Sequence, residues 1–291
     1  MPHPQPGIFA LGTRSHHFLE FDLREGSSAD ALMAKVSTLR EPHTTTAGAN
    51  LVLGFSPDLW REVGPVPDGV HPFRTIQGAA GYEMPATQHD LWLWAAASST
   101  DVAFDVARAS AAALAPVASV ATEVVGFAYR DSRDLSGFID GTENPDLFDA
   151  AEVALVGTGP GHGGSVVLVQ KWIHNLGALH DRPLEAQEAV FGRTKADSVE
   201  LDDKDPGAHL SRVVIEEDGE ELQLFRRSTP FGTLSEQGLL FIAFTAEQRR
   251  IDRMLARMAG DEDGVLDLIS TFSTPVAGSF YWVPPVEDLP T

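Results

Sequence analysis

Hydrophobic and polar residues follow one another along the first half of the chain in a pattern that predicts alternating strands and helices. Residues 17–23 alternate at the two-residue period of a strand, and residues 101–114 form an alanine-rich helical stretch. The order is β-α-β followed by β-α-β, which is that of a ferredoxin-like unit. The predicted elements are a strand at 17–23, a helix capped by Ser27 or Ser28 with Leu32, Val36 and Leu39 on one face, a strand at 50–55, a short helix opened by Ser56, Pro57 and Asp58, a strand at 90–97, a helix from Thr100 to about Leu114 and a strand at 120–129.

The second half repeats this order of elements, although it shows no clear repeat of sequence. We therefore predict an α+β fold of two ferredoxin-like halves, with antiparallel sheets and peripheral helices. The predicted divisions are an N-terminal half at 1–130, a connecting segment rich in Gly, Pro and Asp at 131–164, and a C-terminal half at 165–291. Within the second half we expect a strand at 165–173, a helix at 183–191, a hairpin of 212–215 with 222–225 around Asp218-Gly219, a strand at 238–244, a helix at 245–258 capped by Thr245 and a strand at 279–283.

The composition of the chain indicates which classes of molecule it can bind. The chain has 291 residues, of which 43% are hydrophobic, so a folded core is expected. Its 42 acidic and 21 basic residues give a net charge of −21, which repels nucleic acid and anionic membranes. We therefore expect neither as a partner, and the same charge favours cationic reductants or Mn(II).

The absence of cysteine excludes disulfides, thiolate nucleophiles, iron–sulfur clusters and any metal held by thiolate. The N-terminus has no basic region followed by an apolar run, and apolar stretches such as 91–97 and 239–244 are too short to span a bilayer. These features predict a cytoplasmic protein. Residues 284–291 follow the last predicted strand, so no long targeting tail is expected.

Residues 137–145, Gly-Phe-Ile-Asp-Gly-Thr-Glu-Asn-Pro, present Asp140 between two glycines at a tight bend. Glycine allows backbone of positive φ and close approach to a ligand. A functional carboxylate is often displayed in this way, but an ordinary Asp-Gly turn has the same residues, and spacing alone favours the turn.

Two later segments carry further candidate chemistry. In 205–212, His209 follows a Pro-Gly turn and precedes the strand predicted at 212, and 226–232 reads Arg-Arg-Ser-Thr-Pro-Phe-Gly. Taken singly, the histidine is more typical of a surface or capping residue, and the paired arginines of a solvated face. The chain has no His-Glu-x-x-His helix, phosphate-binding P-loop or Gly-x-Ser-x-Gly elbow.

Taken together, these segments resemble the dye-decolorizing peroxidases. The Gly-x-x-Asp-Gly motif around Asp140 is followed by Gly-Arg-Thr-Lys at 192–195, by His209, and by Arg-x-Ser-x-Pro-Phe-Gly from Arg226. The start, Pro-Gln-Pro-Gly-Ile-Phe-Ala-Leu-Gly-Thr, resembles the intracellular B-type subgroup. The resemblance covers essentially the whole chain.

The resemblance implies an enzyme that binds one haem b and reduces hydrogen peroxide. It would oxidise dyes, phenolics or similar small-molecule donors through a ferryl intermediate, as a homo-oligomer. By the same resemblance His209 is the proximal iron ligand, Arg193 binds a propionate, and the distal, peroxide-binding side consists of Asp140, Arg226 and Ser228. The family places an acidic residue behind the proximal histidine, and either Asp267 or the position of Thr271 matches it.

The expected chemistry divides between a carboxylate and a guanidinium. Asp140 is expected to move a proton between the two peroxide oxygens, and Arg226 to stabilise the negative charge that develops. Arg226 is also expected to lower the pKa of Asp140, and which of the two dominates is open. Aromatic residues suited either to radical transfer or to core packing are Trp172, Tyr281 and Trp282.

Two alternatives of another kind remain at this point. The first is a haem-binding or haem-handling protein whose peroxidase activity is incidental. The second is a hydrolase in which Asp140, Glu143 and Asn144 supply oxygen ligands to Mg²⁺ or Ca²⁺.

Overall fold

Nine strands form one antiparallel sheet in the structure, a computed structural model that describes residues 2–39 and 48–290. The strand predicted at 50–55 is confirmed with its bounds, and most others differ by one to three residues at an end. The strands are β1 (Ser15–Leu23), β2 (Asn50–Phe55), β3 (Leu91–Ala97), β4 (Ala118–Phe127), β5 (Ser165–His174), β6 (Phe225–Arg226), β7 (Thr229–Gly232), β8 (Gln237–Thr245) and β9 (Ser273–Val283).

Eight of the nine strands form two four-stranded units that close into a barrel, and the two-residue β6 pairs with β8 alone. The N-terminal unit has the order β4-β1-β3-β2 and the C-terminal unit the order β7-β8-β5-β9, so both are ferredoxin-like, as predicted. The units meet at two single pairings, Phe231 with Gly126 and Trp282 with Phe55. The sequence predicted two sheets, and their closure into one ring is a tertiary feature that removes exposed strand edges.

Helices cover the outer face of the barrel. Serine caps are confirmed at two of them, where the hydroxyls of Ser28 and Ser56 accept hydrogen bonds from the amides of Ala31 and Leu59. The helices among the described residues are α1 (Ala29–Val36), α2 (Pro57–Trp60), α3 (Thr100–Leu114), α4 (Ala150–Ala154), α5 (Leu176–His180), α6 (Leu184–Phe191), α7 (His209–Val213) and α8 (Gln248–Met258).

Short elements complete the chain. Among the described residues, four 3₁₀ turns lie at Pro6–Phe9, Ala79–Gly81, Leu268–Thr271 and Val286–Asp288, and two two-stranded ribbons join Ile76–Gln77 to Glu83–Met84 and Glu216–Glu217 to Glu220–Glu221. Across 2–39 and 48–290, none of the helices has the length and apolar character required to cross a bilayer.

Strand alternation separates the core into two layers. One face of each strand points into the barrel, which aromatic side chains fill, and the other lies under the helices. The largest interior side chains include Phe18, Trp92, Trp94, Phe244 and Tyr281. Tyr281 packs inside the barrel and Trp282 in the outer core, both fully buried.

The strand predicted at 212–215 is wrong. Residues 209–213 are helical, and the hairpin around Asp218-Gly219 shrinks to Glu216–Glu217 paired with Glu220–Glu221. A short apolar run is compatible with a strand or a helix. Here the buried side chain of Arg212 favours the helix, because its guanidinium binds the Asp263 carboxylate and the carbonyl of Arg257. His209 therefore begins a helix.

Three other bounds need correction. The first helix ends at Val36 instead of Leu39, and α8 begins at Gln248 because the Thr245 hydroxyl hydrogen-bonds to Glu247 in the turn before it. The last strand begins at Ser273, since an irregular pairing between Pro275 and Ala277 lets it continue past a proline.

Candidate functional site

A deep cleft lies between the outer face of the C-terminal strands and the helices α7 and α8. It encloses about 1070 Å³ of space, counted to its open mouth. Its apolar walls are formed by Trp172, Leu239, Phe241, Met254, Leu255 and Met258, and its polar groups include Asp140, Glu143, Arg193, His209 and Arg226.

His209, the first residue of α7, is oriented by a buried carboxylate. Its Nδ1 lies 2.7 Å from Oδ2 of Asp267, whose Oδ1 accepts a hydrogen bond of 2.9 Å from the amide of Ile269. Asp267 is the residue behind His209, whereas the hydroxyl of Thr271 donates to the carbonyl of Leu268. Because Nδ1 is occupied, Nε2 is the ring nitrogen left to contact a ligand in the cleft.

Asp140 occupies the bend that its flanking glycines predict. Gly137 and Gly141 have φ of 89° and 82°, a conformation that disfavours side chains with a Cβ. The backbone amide of Asp140 donates to the carbonyl of Ser132 at 2.9 Å, and its side chain lines the cleft. Burial raises the pKa of Asp140, and the charge of Arg226 offsets this only in part. The expected lowering by Arg226 is present, but burial outweighs it, so the pKa of Asp140 lies above its usual value and the base form is not favoured as predicted.

Asn144, four residues after Asp140 in the chain, holds Arg226 beside Asp140. The Asn144 side chain accepts a hydrogen bond from the Arg226 amide at 2.8 Å and donates one to its carbonyl at 2.9 Å. This two-way contact attaches β6 to the Gly-x-x-Asp-Gly loop. Burial lowers the pKa of Arg226, with the Asp140 carboxylate opposing it, and the guanidinium stays protonated at neutral pH.

Arg193 and Glu143 form an ion pair at another part of the cleft wall. The Arg193 guanidinium also donates to the carbonyl of Ser198 at 2.8 Å. Within the described residues, Nε of Arg193 and Nη2 of Arg226 are buried nitrogens without a hydrogen-bond partner. Such donors indicate a ligand that accepts hydrogen bonds in the cleft.

Ser228 is the predicted site residue that does not line the cleft. Its hydroxyl accepts a long hydrogen bond of 3.4 Å from the amide of Ile242, on the neighbouring strand β8. The structure thus brings Asp140, Arg193, His209 and Arg226 into one cavity and leaves Ser228 beside it.

A buried polar group next to these residues was not predicted. His174, at the end of β5, lies 3.3 Å from the Asp134 carboxylate and 2.8 Å from the Ser273 hydroxyl. Burial raises the pKa of Asp134, but hydrogen bonds from His174 and Ser136 outweigh it and leave that pKa below its usual value. Strand alternation gives the signal, because His174 lies two residues beyond Trp172 and therefore on the same face.

Comparison with known proteins gives the same family along both halves. The family described as Dyp-type peroxidase, N-terminal, matches residues 5–128, and Dyp-type peroxidase, C-terminal, matches residues 131–288. A dye-decolorizing peroxidase of Rhodococcus erythropolis is 36% identical, covering 98% of this chain and 88% of its own. One from Mycobacterium tuberculosis is 34% identical, covering 98% and 89%.

Solved structures agree. A Dyp-type peroxidase from Shewanella oneidensis superposes with a TM-score of 0.94 at 31% identity, covering 99% of this chain and 98% of its own. A variant of DypB from Rhodococcus jostii in complex with haem has a TM-score of 0.88 at 34% identity, covering 96% and 95%. The chain belongs to the dye-decolorizing peroxidase family.

Proposed function

We propose that this chain is a haem b-dependent peroxidase that reduces hydrogen peroxide and oxidises dyes, phenolics or similar one-electron donors. The observation that carries the proposal is a single cleft with a hydrogen-bonded histidine and carboxylate, His209 and Asp267, and with the buried carboxylate of Asp140 and guanidinium of Arg226, which interact electrostatically. The family and the haem complex of the Rhodococcus jostii relative support it.

The residues of the cleft fit a haem. Its walls are apolar and aromatic, which suits a porphyrin face, and His209 offers its Nε2 to iron. The unpartnered nitrogens of Arg193 and Arg226 are suited to propionate carboxylates or other acceptors of the cofactor. Bound haem would supply the iron at which peroxide is cleaved and through which the donor's electrons pass.

The chain's own groups would move the proton. The pKa of Asp140 is raised and therefore lies closer to neutral pH than the pKa of an exposed aspartate. Such a pKa suits a group that accepts a proton and then releases it. The Arg226 guanidinium stabilises negative charge as the oxygen–oxygen bond separates. Asn144 positions Arg226, and Asp267 orients His209 and increases its basicity. Ser228 has no direct role in this proposal, because its hydroxyl accepts a hydrogen bond from the Ile242 amide outside the cleft lining.

The cation-dependent hydrolase is not supported by the contacts of its proposed ligands. The Asn144 oxygen accepts from the Arg226 amide, and Glu143 pairs with Arg193. Both groups therefore hold the cleft together. The rate at which an Arg226 variant reacts with peroxide distinguishes the peroxidase from the haem-handling alternative, because only an enzyme needs that guanidinium for fast reaction with peroxide.

Several finer assignments belong to the same proposal. They are the B-type subgroup, a cytoplasmic location, a homo-oligomer, and the division at residues 1–130, 131–164 and 165–291. The order of the two ferredoxin-like units on either side of residue 130 supports the division. Light scattering on the purified protein and fractionation of cells test the oligomer and the location.

The visible spectrum of the purified protein tests the haem site. We expect an intense Soret band in the wild type and its loss in His209→Ala, because the iron loses its protein ligand. His3→Ala, which removes an exposed histidine outside the cleft lining, is the matched control and keeps the band. A wild-type protein that cannot be reconstituted with haem would overturn the proposal.

A further inference from the structure

Three polar side chains in the wall of the cleft form a hydrogen-bonded chain that the proposed function leaves without a role. The ring of His174, at the end of β5, lies 3.3 Å from Oδ1 of Asp134 and 2.8 Å from the hydroxyl of Ser273, the first residue of β9. All three line the cleft, and His174 and Ser273 are buried. A buried imidazole–carboxylate pair adds little net stability, so its place in the wall of a site points to a functional role.

Asp134 is the centre of the bend that precedes Asp140. Its Oδ2 accepts a hydrogen bond of 2.8 Å from the amide of Ser136. Its backbone carbonyl accepts one of 2.8 Å from the amide of Gly137, and its backbone amide donates one of 3.0 Å to the carbonyl of Phe138. These three bonds fix the bend from which Asp140 enters the cleft.

His174 attaches this bend to the sheet. His174 and Ser273 are partners in the pairing of β5 with β9, so the imidazole starts from a rigid part of the fold. An ionised carboxylate only accepts hydrogen bonds, and therefore Nε2 of His174 is the donor to Asp134 while Nδ1 meets the Ser273 hydroxyl. One imidazole thus connects the Gly-x-x-Asp-Gly loop to two strands.

Asp134 also brings a second negative charge close to Asp140. Burial opposes the ionisation of Asp134, yet hydrogen bonds from His174 and Ser136 keep its pKa below the usual value. Burial raises the pKa of Asp140, the charge of Arg226 opposes this, and the charge of Asp134 raises it further. Two carboxylates in one buried site do not ionise together readily, so an ionised Asp134 favours the protonated form of Asp140.

The other charged or titratable groups around the loop do not have this effect. Arg226 on β6 and His209 on α7 lower the pKa of Asp140 through their charges, and Glu143 is paired with Arg193. The groups that contact the loop elsewhere are Arg133, which donates to the Gly137 carbonyl, His180, whose Nε2 lies 3.1 Å from the Ser136 carbonyl, and Lys195, which lies over the ring of Phe138. Within this set, the charge of Asp134 is the one that favours a protonated Asp140.

We infer that His174 and Asp134 are positioning residues for the reaction with peroxide. Together they hold the bend of the loop and an ionised carboxylate beside Asp140, and so set the pH range in which Asp140 exchanges its proton. Asp134 acts through Asp140, and His174 acts through Asp134. The inference rests on the proposed function, because it concerns the proton that Asp140 moves.

The pH dependence of the reaction with peroxide tests the charge of Asp134. In rapid mixing of the haem-loaded protein, the rate constant should fall as the pH decreases and Asp140 takes up a proton. Asp134→Asn removes one negative charge and should move the midpoint of this fall to lower pH. At one pH unit below the wild-type midpoint, the wild type keeps about a tenth of its maximal rate, and the variant keeps a larger fraction. Asp131→Asn, which removes an exposed carboxylate from the same segment, is the matched control and keeps the wild-type midpoint.

Variants of His174 test whether the imidazole acts through Asp134. His174→Leu removes the hydrogen bond, so the buried Asp134 carboxyl takes up a proton and the midpoint should again move to lower pH. His174→Gln keeps an amide donor without a titrating ring and should keep the wild-type midpoint. If the pair only packed the loop, both variants would slow the reaction by one factor at every pH and leave the midpoint unchanged. That result would overturn the inference.

Fluoride binding, read from the Soret band, gives a second measurement that involves no turnover. Fluoride binds to haem iron together with a proton on a neighbouring group, so its affinity should fall about tenfold per pH unit above the titration of Asp140. In Asp134→Asn this fall should begin at lower pH, and a profile identical to that of the wild type would contradict the inference. A wild-type protein that binds no haem would count against the proposed function instead. If Asp134→Asn alone fails to bind haem, the two His174 variants provide the same comparison.

Discussion

The two halves of the barrel have the same topology but cover their outer sheet faces differently. In the N-terminal half that face presents Leu19, Phe21, Leu91 and Leu93, and all four side chains are buried in the core beneath α1 and α3. In the C-terminal half the equivalent face presents Gln170, Trp172, His174, Leu239 and Phe241, and α7 and α8 leave a cleft above it.

The outer sheet faces of the two halves differ because different elements cover them. The 15 residues of α3 lie across β1 and β3 and close the face with apolar contacts. In the other half the five residues of α7 and the 3₁₀ turn at Leu268–Thr271 stand side by side, because Asp267 and His209 hydrogen-bond to each other. The same fold is therefore a closed core on one side and a site on the other.

The largest expected effect comes from breaking the site without breaking the fold. Arg226→Ala should slow the reaction with hydrogen peroxide by roughly 10²–10³-fold, since a guanidinium aimed at developing negative charge is removed. Rapid mixing of the haem-loaded variant with peroxide measures it, with Arg108→Ala as the control that removes an exposed arginine elsewhere. A variant that reacts as fast as the wild type would favour the haem-handling alternative.

A smaller effect, on stability, should distinguish the N-terminal half, whose outer sheet face is covered, from the C-terminal half, which has the cleft. Leu93 is fully buried, whereas Leu239 lines the cleft and is partly exposed. Leu93→Ala should lower the free energy of unfolding by about 2–5 kcal/mol, and Leu239→Ala by about 1 kcal/mol, because a side chain beside an existing cavity leaves fewer packing contacts. Urea denaturation of haem-free protein measures both, and equal losses would contradict the comparison.

The smallest effect concerns a histidine inside the barrel. The buried His16 lies 3.1 Å from the indole nitrogen of Trp94, and burial, then the charge of Arg227, lowers its pKa to about 4. Between pH 6.5 and pH 4 the unfolded chain binds a proton that the folded chain does not, so stability falls as the pH falls.

The expected loss from His16 is about 2 kcal/mol between pH 6.5 and pH 5. His16→Gln, which keeps an acceptor for Trp94, should reduce the dependence of unfolding free energy on pH over this interval by that amount. Denaturation curves at the two pH values measure it. An unchanged slope would show that the pKa of His16 is the same in the folded and the unfolded chain, which would contradict the prediction.

Much of the fold was predictable from local pattern, and the failures have local causes. The strand at 50–55 and the serine caps at Ser28 and Ser56 depend on neighbouring residues, so the sequence shows them directly. The helix at His209 was missed because its short apolar run has no distinguishing period, and the buried contact of Arg212 with Asp263 lies 51 residues away.

The site was predictable in its members but only partly in their arrangement. The order of motifs pointed to Asp140, Arg193, His209 and Arg226, which share one cleft, and to Ser228, which lies beside it. The roles of Asn144 and of the His174–Asp134 pair were not apparent, because each depends on contacts between distant segments.

The sequence by itself determined the alternation of strands and helices, the absence of cysteine and most of the polar residue types that line the cleft. Those properties depend on composition and on spacing within a few turns of chain. The tertiary structure decided that Asp267 and not Thr271 supports His209, and that burial outweighs Arg226 in the pKa of Asp140. Each of these depends on distance and solvent exclusion between segments far apart in sequence, which pattern along the chain does not contain.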